Sequence, residues 1–295
     1  MLRQTTALRR LLAEKRFIYG PGVFDGISVR QASAVGFDFL YMTGSGVAAS
    51  RIGQADLGIT TLQDMAETAT IICEVAKVPV VADMDTGFGG PLNITRAIHM
   101  YENAGIAGCH IEDQTFPKRC GHLQGKSVVS KEEFIQRIAA AVNARRDPDF
   151  VIIARTDAYQ PHGFDNAVEC LEAAFKAGAD MGFFEGCKSR EDSENVIRAF
   201  PCKDMLLNVP AFGDTPNFNV KEIEDMGYKM AIFSQTGKTP MTLAAKRAYE
   251  TLKREGSDAS VCEGYSPKAF FTLNGLAEAI EIDKKAGGKA LDALG

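Results

Sequence analysis

A (β/α)8 barrel is the fold class this sequence predicts, on three observations. Eight short apolar or β-branched runs recur along the chain, each followed by a polar turn and an amphipathic stretch of helical period. The runs start about 20 to 45 residues apart, which is the room a right-handed β-helix-β crossover needs. No Gly-x-Gly-x-x-Gly follows the first run, which weighs against the alternative of an open doubly wound sheet.

Residues 1–15 space their leucines helically and lack a signal-peptide apolar core, so an N-terminal helix precedes the barrel. Glu14 and the close join to the first run argue against a mitochondrial presequence, so a cytoplasmic protein is expected, with the mitochondrial matrix as the alternative. The runs are Phe17-Ile18-Tyr19, Phe39-Leu40-Tyr41-Met42, Val78-Pro79-Val80-Val81-Ala82, Cys109-His110-Ile111, Phe150-Val151-Ile152-Ile153-Ala154, Met181-Gly182-Phe183-Phe184, Met205-Leu206-Leu207-Asn208-Val209 and Met230-Ala231-Ile232-Phe233. Gly105 and Gly178 sit just before the fourth and sixth runs, where a helix C-terminal glycine is expected. Ser130 and Glu133 make a capping-box pattern ahead of Phe134, Ile135 and Ile138, starting the helix after the fourth run. That leaves a connection over residues 114–129, of about 16 residues against the usual 2–6. It reads as a lid or as a plain insertion. Residues from about 240 to 295 are expected as extra C-terminal helices within one domain, 1–295.

The bulk properties narrow the partners. Of 295 residues, 45% are hydrophobic and 24% charged, and no apolar run approaches the ~18 residues of a membrane span. A net charge of −5 leaves no basic footprint for nucleic acid, so anionic ligands would have to meet local cations. Seven cysteines at irregular spacing, without a Cys-x-x-Cys pair, point to a reducing compartment and against zinc.

Sites in this architecture lie at the C-terminal ends of the strands. Those ends carry Tyr41 with Thr43-Gly44-Ser45-Gly46, Asp83 and Asp85, Glu112 and Asp113, Arg155 and Asp157, Glu185, Asn208 and Ser234. Acids at one register on four neighbouring strands are not what independent solvated loops produce. Asp83 and Asp85 share a side if the segment is extended, and with Glu112 they form an all-oxygen set suited to Mg²⁺ or Mn²⁺. Solvated loop acids or helix N-caps are the plainer alternative. Thr43-Gly44-Ser45-Gly46 is read either as a nest for a carboxylate or as an ordinary βα turn. Cys120, flanked by Lys118, Arg119 and His122, is expected to lose its proton near neutral pH. His110 is read as core, and the other six cysteines as small packing residues.

Several motifs resemble those of the isocitrate lyase and phosphoenolpyruvate mutase superfamily: Tyr41-Met42-Thr43-Gly44-Ser45-Gly46, Asp56-Leu57-Gly58, Asp83-Met84-Asp85-Thr86-Gly87-Phe88-Gly89, Ile111-Glu112-Asp113-Gln114, Lys118-Arg119-Cys120-Gly121-His122 and Ala154-Arg155-Thr156-Asp157. The resemblance covers nearly the whole chain and implies Mg²⁺ held directly by Asp85 and through water by Asp56, Asp83 and Glu112. It also implies a homotetramer, a dimer of dimers that exchanges C-terminal helices. A 2-oxyacid would be bound by Thr43, Gly44, Ser45, Asp85 and Arg155, and a second carboxylate by Arg119, Gly121, His122, Glu185 and Asn208.

Within the superfamily, the cysteine of Lys118-Arg119-Cys120-Gly121-His122 and Tyr41 resemble the carbon–carbon lyases, whereas phosphoenolpyruvate mutases carry asparagine at the cysteine position. The stretch Gly121-His122-Leu123-Gln124-Gly125-Lys126 is similar to enzymes of small 2-alkylmalates and to carboxyphosphonoenolpyruvate mutase. Pro210, Ala211 and Ser234 depart from the methylisocitrate lyase pattern. The resemblance therefore implies retro-aldol cleavage of a 2-hydroxydicarboxylate, 2-alkylmalate or 2-methylisocitrate in type, with Cys120 as general acid and Tyr41, Arg155, His122 and Lys118 around it. Oxaloacetate hydrolysis, phosphonomutase chemistry and an idle barrel are the rivals.

Overall fold

The computed structural model describes residues 2–289 and 291; residues 1, 290 and 292–295 of the expected 1–295 domain lie outside them. Eight parallel strands close into a barrel, each paired with the next and the last with the first. They are β1 (Ile18–Val23), β2 (Leu40–Met42), β3 (Val80–Asp83), β4 (Gly108–Glu112), β5 (Val151–Thr156), β6 (Met181–Phe184), β7 (Met205–Asn208) and β8 (Met230–Phe233). Strands covered on both faces read as continuous apolar runs, which is why all eight were visible as such. β1 is the exception in extent, because it continues through Gly20-Pro21-Gly22 beyond the apolar residues. Those glycines are demanded by close neighbours: a Cβ on Gly20 would stand 2.6 Å from the carbonyl oxygen of Phe39, and one on Gly22 2.5 Å from that of Ser234.

Intervening helices start and stop on local chemistry. Asp25 and Ser28, Thr61 and Asp64, and Asn219 and Glu222 cap their helices reciprocally. Gly105 ends the helix Pro91–Ala104 in the left-handed conformation. Ser130 accepts from Glu133 N as expected, but the return arm is missing. Glu133 pairs instead with Arg137 at 2.8 Å, and Arg137 in turn holds the carbonyls of Glu112 and Gln114.

The barrel interior is built in rows. Tyr41, Val81, Val151 with Ile153, Met181 with Phe183, Leu206, and Met230 with Ile232 all belong to one buried cluster. Leu8 of the helix Gln4–Glu14 joins it alongside the first residues of four strands, so that helix seals the end opposite the site. Alternate residues share a face, so the inward rows continue to Asp83, Arg155, Glu185, Asn208 and Ser234. On β4 the same rule turns His110 and Glu112 inward and Asp113 outward.

The chain divides into two compact units, Met1–Lys238 and Thr239–Gly295. The second contains the helices Pro267–Leu273 and Leu276–Lys285, with Leu243, Tyr249, Phe270, Phe271 and Ile282 exposed. Among the described residues no helix is long and apolar enough to cross a membrane.

Gly22→Ala forces a methyl against backbone and is expected to cost about 1–3 kcal/mol. Gly26→Ala meets only Ile71 Cγ2, at 3.9 Å, and should be tolerated. Thermal unfolding followed by circular dichroism separates them; equal melting temperatures would refute the close-approach argument.

Candidate active site

The rim of the barrel gathers more acids than cations, and the partners each acid finds decide what it can do. β5 pairs Arg155 directly opposite Glu112 of β4. Arg155 binds Asp157 through two nitrogens, at 2.9 and 3.2 Å, and lies 3.2 Å from Glu112 and 3.6 Å from Glu185. Burial pushes Glu112 well above the ordinary carboxyl range despite Arg155, and neither of its oxygens accepts a hydrogen bond from a described residue. Asp113, on the outward face, anchors Thr156 Oγ1 and Asp157 N at 2.5 and 2.8 Å. It shapes the site from behind.

Asp83 and Asp85 do not form the extended pair that their spacing suggests. Asp85 takes a left-handed backbone with φ 46, an uncommon state for a residue with a side chain. The turn is held from both sides: Asp85 N donates to Asp83 Oδ1 at 3.0 Å, and Glu112 N donates to Asp85 O at 3.0 Å. It sends the Asp85 carboxylate toward Lys118, whose Nζ lies 2.6 Å from Asp85 and 2.5 Å from Asp56. The contact with Asp85 is off the hydrogen-bonding direction, so Asp85 Oδ1 accepts no hydrogen bond from a described residue. Burial lifts the Asp85 carboxyl to about 7, against the pull of Lys118.

His110, read from sequence as core, lies in the barrel interior but joins two site residues. Its Nε2 is 2.9 Å from Tyr41 OH, and its Nδ1 is 3.7 Å from Asp83 Oδ1. Burial drops the imidazole to about 4, so it is neutral at pH 7. Burial, then Asp83, raises Tyr41 well above the ordinary phenol value. The protonated phenol therefore donates to Nε2, which leaves the His110 proton on Nδ1, facing Asp83. Burial pushes Asp83 up as well, but the net shift is downward; with His110 neutral, Lys118 and Arg155 are the cations that keep it ionised. The i, i+2 relation of His110 to Glu112 was the signal that would have exposed this role.

Residues 114–129 form a loop closed at its neck by the antiparallel bridge Gln114–Val128, with Thr115 N donating to Ser127 O and Val129 N to Asp113 O. Its tip lies on the rim: a Cβ on Gly121 would be 2.5 Å from Arg155 Nη2 and 2.8 Å from Glu185 Cγ. His122 Nδ1 accepts from Asp214 N at 3.2 Å, and its Nε2 lies 3.5 Å from Glu185 Oε1 and 3.3 Å from Asn208 Nδ2. Ser234 Oγ donates to Asn208 Oδ1, and Asn208 Nδ2 donates to Glu185 Oε2, which fixes the amide of Asn208.

One expectation for this loop is corrected. Cys120 is not acidified: burial, then Asp56, pushes its thiol above its ordinary value. The cations around it are engaged elsewhere, Lys118 with Asp56 and Asp85, and Arg119 with Gln124 O at 3.0 Å. Arg119 is also exposed.

Thr43, Gly44 and Ser45 open a short helix, Gly44–Val47, and the hydroxyls of Thr43 and Ser45 are 3.1 Å apart. Lys238 Nζ donates to Ser45 Oγ. Lys238 belongs to no motif and was not anticipated; only its place one turn beyond β8 put it on this rim. Among the described residues no three acidic, histidine or cysteine side chains are grouped as a metal site, and the Lys118 ammonium stands between Asp56 and Asp85. The donor set nonetheless fits a hard divalent ion: Asp56, Asp83, Asp85 and Glu112 are all oxygen ligands, and Asp85 and Glu112 keep oxygens without hydrogen bonds.

Residues 8–254 match the family model described as phosphoenolpyruvate phosphomutase. The 2,3-dimethylmalate lyase of Eubacterium barkeri is 38% identical over 277 residues, 94% of this chain and 96% of that protein. A crystal structure of 2,3-dimethylmalate lyase superposes with TM-score 0.95 at 45% identity, covering 99% of this chain and 98% of that one. Oxaloacetate acetylhydrolase in complex with 3,3-difluorooxalacetate gives TM-score 0.95 at 42% identity, covering 98% of each chain. Phosphonopyruvate hydrolase with oxalate and Mg²⁺ gives 0.87 at 26%, covering 96% of this chain and 99% of that one.

Only the thiolate of cysteine reacts with iodoacetamide, so a raised pKa moves the rate curve to higher pH. Followed peptide by peptide in a mass spectrometer, Cys120 should still be gaining rate above pH 9, with exposed Cys202 as reference. A plateau for Cys120 by about pH 8 would instead mark an acidified thiol.

Proposed function

We propose, because this chain belongs to the phosphoenolpyruvate phosphomutase family, that it cleaves a 2-hydroxydicarboxylate of the 2-alkylmalate type into a 2-oxoacid and a carboxylic acid. The chain is a carbon–carbon lyase of the isocitrate lyase and phosphoenolpyruvate mutase superfamily; its substrate and the proton donor are the proposed parts. One observation carries the reading: a thiol kept protonated by burial sits on a loop whose next residue packs against Arg155 and Glu185.

The 2-oxoacid end of the substrate lies against Thr43, Gly44 and Ser45, where Lys238 adds a cation, with Arg155 beside it. His122 and Asn208, both held by Glu185, receive the second carboxylate through the imidazole and the amide N–H, and the Gly121 backbone closes over it. The substrate hydroxyl gives its proton to Tyr41 oxygen as Tyr41 passes its own to His110 Nε2, and Asp83 steadies the imidazolium that results. The carbon–carbon bond then breaks, its electron pair staying on the departing acid, and Cys120 protonates that carbon. Asp85 with Asp56, Asp83 and Glu112 would hold a divalent ion, Mg²⁺ by preference, which when bound would supply charge neutralisation for the carboxylate and the developing alkoxide. Homotetrameric assembly and a cytoplasmic location complete the reading.

Oxaloacetate hydrolysis is a second reading, favoured by the similarity to oxaloacetate acetylhydrolase and by a polar pocket end. Asn208, Ser234, Glu185 and His122 offer little apolar surface to an alkyl group. Hydrated oxaloacetate presents a hydroxyl over an equivalent bond, so the same residues would release oxalate and acetate.

A lactate dehydrogenase-coupled assay over 2,3-dimethylmalate, 2-methylisocitrate and citramalate, with oxalate measured from oxaloacetate, decides between them. Cys120→Ser should keep fold and metal affinity yet lose about 10²–10⁴ in turnover on the active substrate; near wild-type turnover refutes the role. Glu112→Gln replaces a carboxyl already biased to its neutral form, so in EDTA its melting temperature should match or exceed that of the wild type. Mg²⁺ should raise the wild-type melting temperature by mass action and raise the variant's less. Equal rises would remove Glu112 from the metal site.

A further inference from the structure

The chemistry above leaves the buried cation Lys126 unused. Lys126, buried at the far side of the loop tip, donates from Nζ to Asp157 Oδ1 at 2.8 Å and to Gly121 O at 2.6 Å. Asp157 is wholly buried and binds Arg155 through both of its oxygens. Gly121 in turn rests on Arg155 Nη2, where a Cβ would intrude to 2.5 Å. Lys126, Asp157, Arg155 and Gly121 therefore close a ring in which each touches the next. Gln160 braces it at the edge, accepting from Lys126 N at 3.3 Å and donating to Leu123 O at 3.4 Å.

Charge gives the ring a direction. Arg155 is faced by Glu112, Asp157 and Glu185, three acids on one fixed cation. Lys126 brings a second cation to this cluster, and it does so only while the tip is down. Lifting the tip would strip Asp157 of that partner at a place where water does not compensate it. The neck bonds at Gln114, Thr115 and Val129 involve neither Lys126 nor Asp157. Lys118 fastens the opposite flank of the tip to Asp56 and Asp85, so Lys126 governs the stretch from Cys120 to Lys126.

We propose that Lys126 is the latch of this loop, a positioning residue whose ion pair with Asp157 holds Cys120 and His122 over the mouth of the barrel. The proposal rests on the lyase reading for its kinetic consequence alone. Its structural consequence is independent of turnover.

The test compares wild type, Lys126→Met and Lys126→Arg by hydrogen exchange of residues 119–126 in Mg²⁺ with oxalate, and by steady-state kinetics. Lys126→Met should exchange Leu123 and Lys126 amides at least about tenfold faster, since local opening is no longer opposed. Its kcat should fall about 10²-fold, the scale on which a displaced catalytic group loses rate, and its KM should rise as His122 and Gly121 leave the second carboxylate, while the Mg²⁺-induced rise in melting temperature stays near wild type. Lys126→Arg, which keeps the charge, should restore most of both. Wild-type exchange in Lys126→Met overturns the latch, and so does loss of kcat with exchange unchanged. Should Lys126→Met fail to fold, Lys126→Arg decides alone: wild-type protection supports the ion-pair latch and lost protection overturns it. A wild type that cleaves no substrate of the panel sinks the lyase reading but leaves the latch to be judged on exchange.

Discussion

The constraint on which the site depends is charge balance in a place without water. Closing eight strands buries Asp83, Asp85, Glu112, Asp157 and Glu185 at one rim, and a buried carboxylate must be paired, hydrogen-bonded or neutral. Arg155, Lys118 and Lys126 are the cations that meet them. Only Arg155 is rooted in the barrel itself, because the two lysines arrive on the 114–129 loop. The position of that loop and the ionisation of the rim are therefore one problem, and a divalent ion among the carboxylates would change both together.

Much of the barrel was legible because parallel strands covered on both faces need uninterrupted apolar runs, and eight were countable. What the runs could not reveal was the length of β1, which continues through Gly20-Pro21-Gly22 to Val23, with both glycines required by close neighbours. The rim register was legible for the same reason: with a period of two, each inward apolar row must end in an inward polar residue, as Val81 leads to Asp83 and Leu206 to Asn208.

Partners were less legible than positions. Lys118 beside Cys120 in sequence suggested an acidified thiol, but chain neighbours at i and i+2 need not share charge when one of them finds Asp56 and Asp85. Asp83 and Asp85 suggested a shared face, but the left-handed backbone of Asp85 turns its carboxylate elsewhere, and only the hydrogen bonds from Asp85 N and Glu112 N explain why that turn is tolerated. His110 reads as core from its place on a strand, although its alternation with Glu112 already places it inside the barrel next to the rim. Lys238 and the pairing of Lys126 with Asp157 depend on contacts between segments far apart in the chain, about which spacing carries no information.

The state of Cys120 bears on which chemistry the loop can serve. A thiolate at rest would suit nucleophilic attack or proton abstraction, and such cysteines lie in electropositive, partly solvated surroundings. Here burial and Asp56 act in the opposite sense, while the nearest lysine is engaged by two carboxylates. A thiol that holds its proton is already in the form a general acid requires, and it gives that proton to a carbanion far more basic than itself without needing a lowered pKa. Cleavage of a carbon–carbon bond that leaves the electron pair on the departing acid makes such a demand. The burial that removes Cys120 from the ranks of reactive thiolates is thus the feature on which its proposed role as general acid rests.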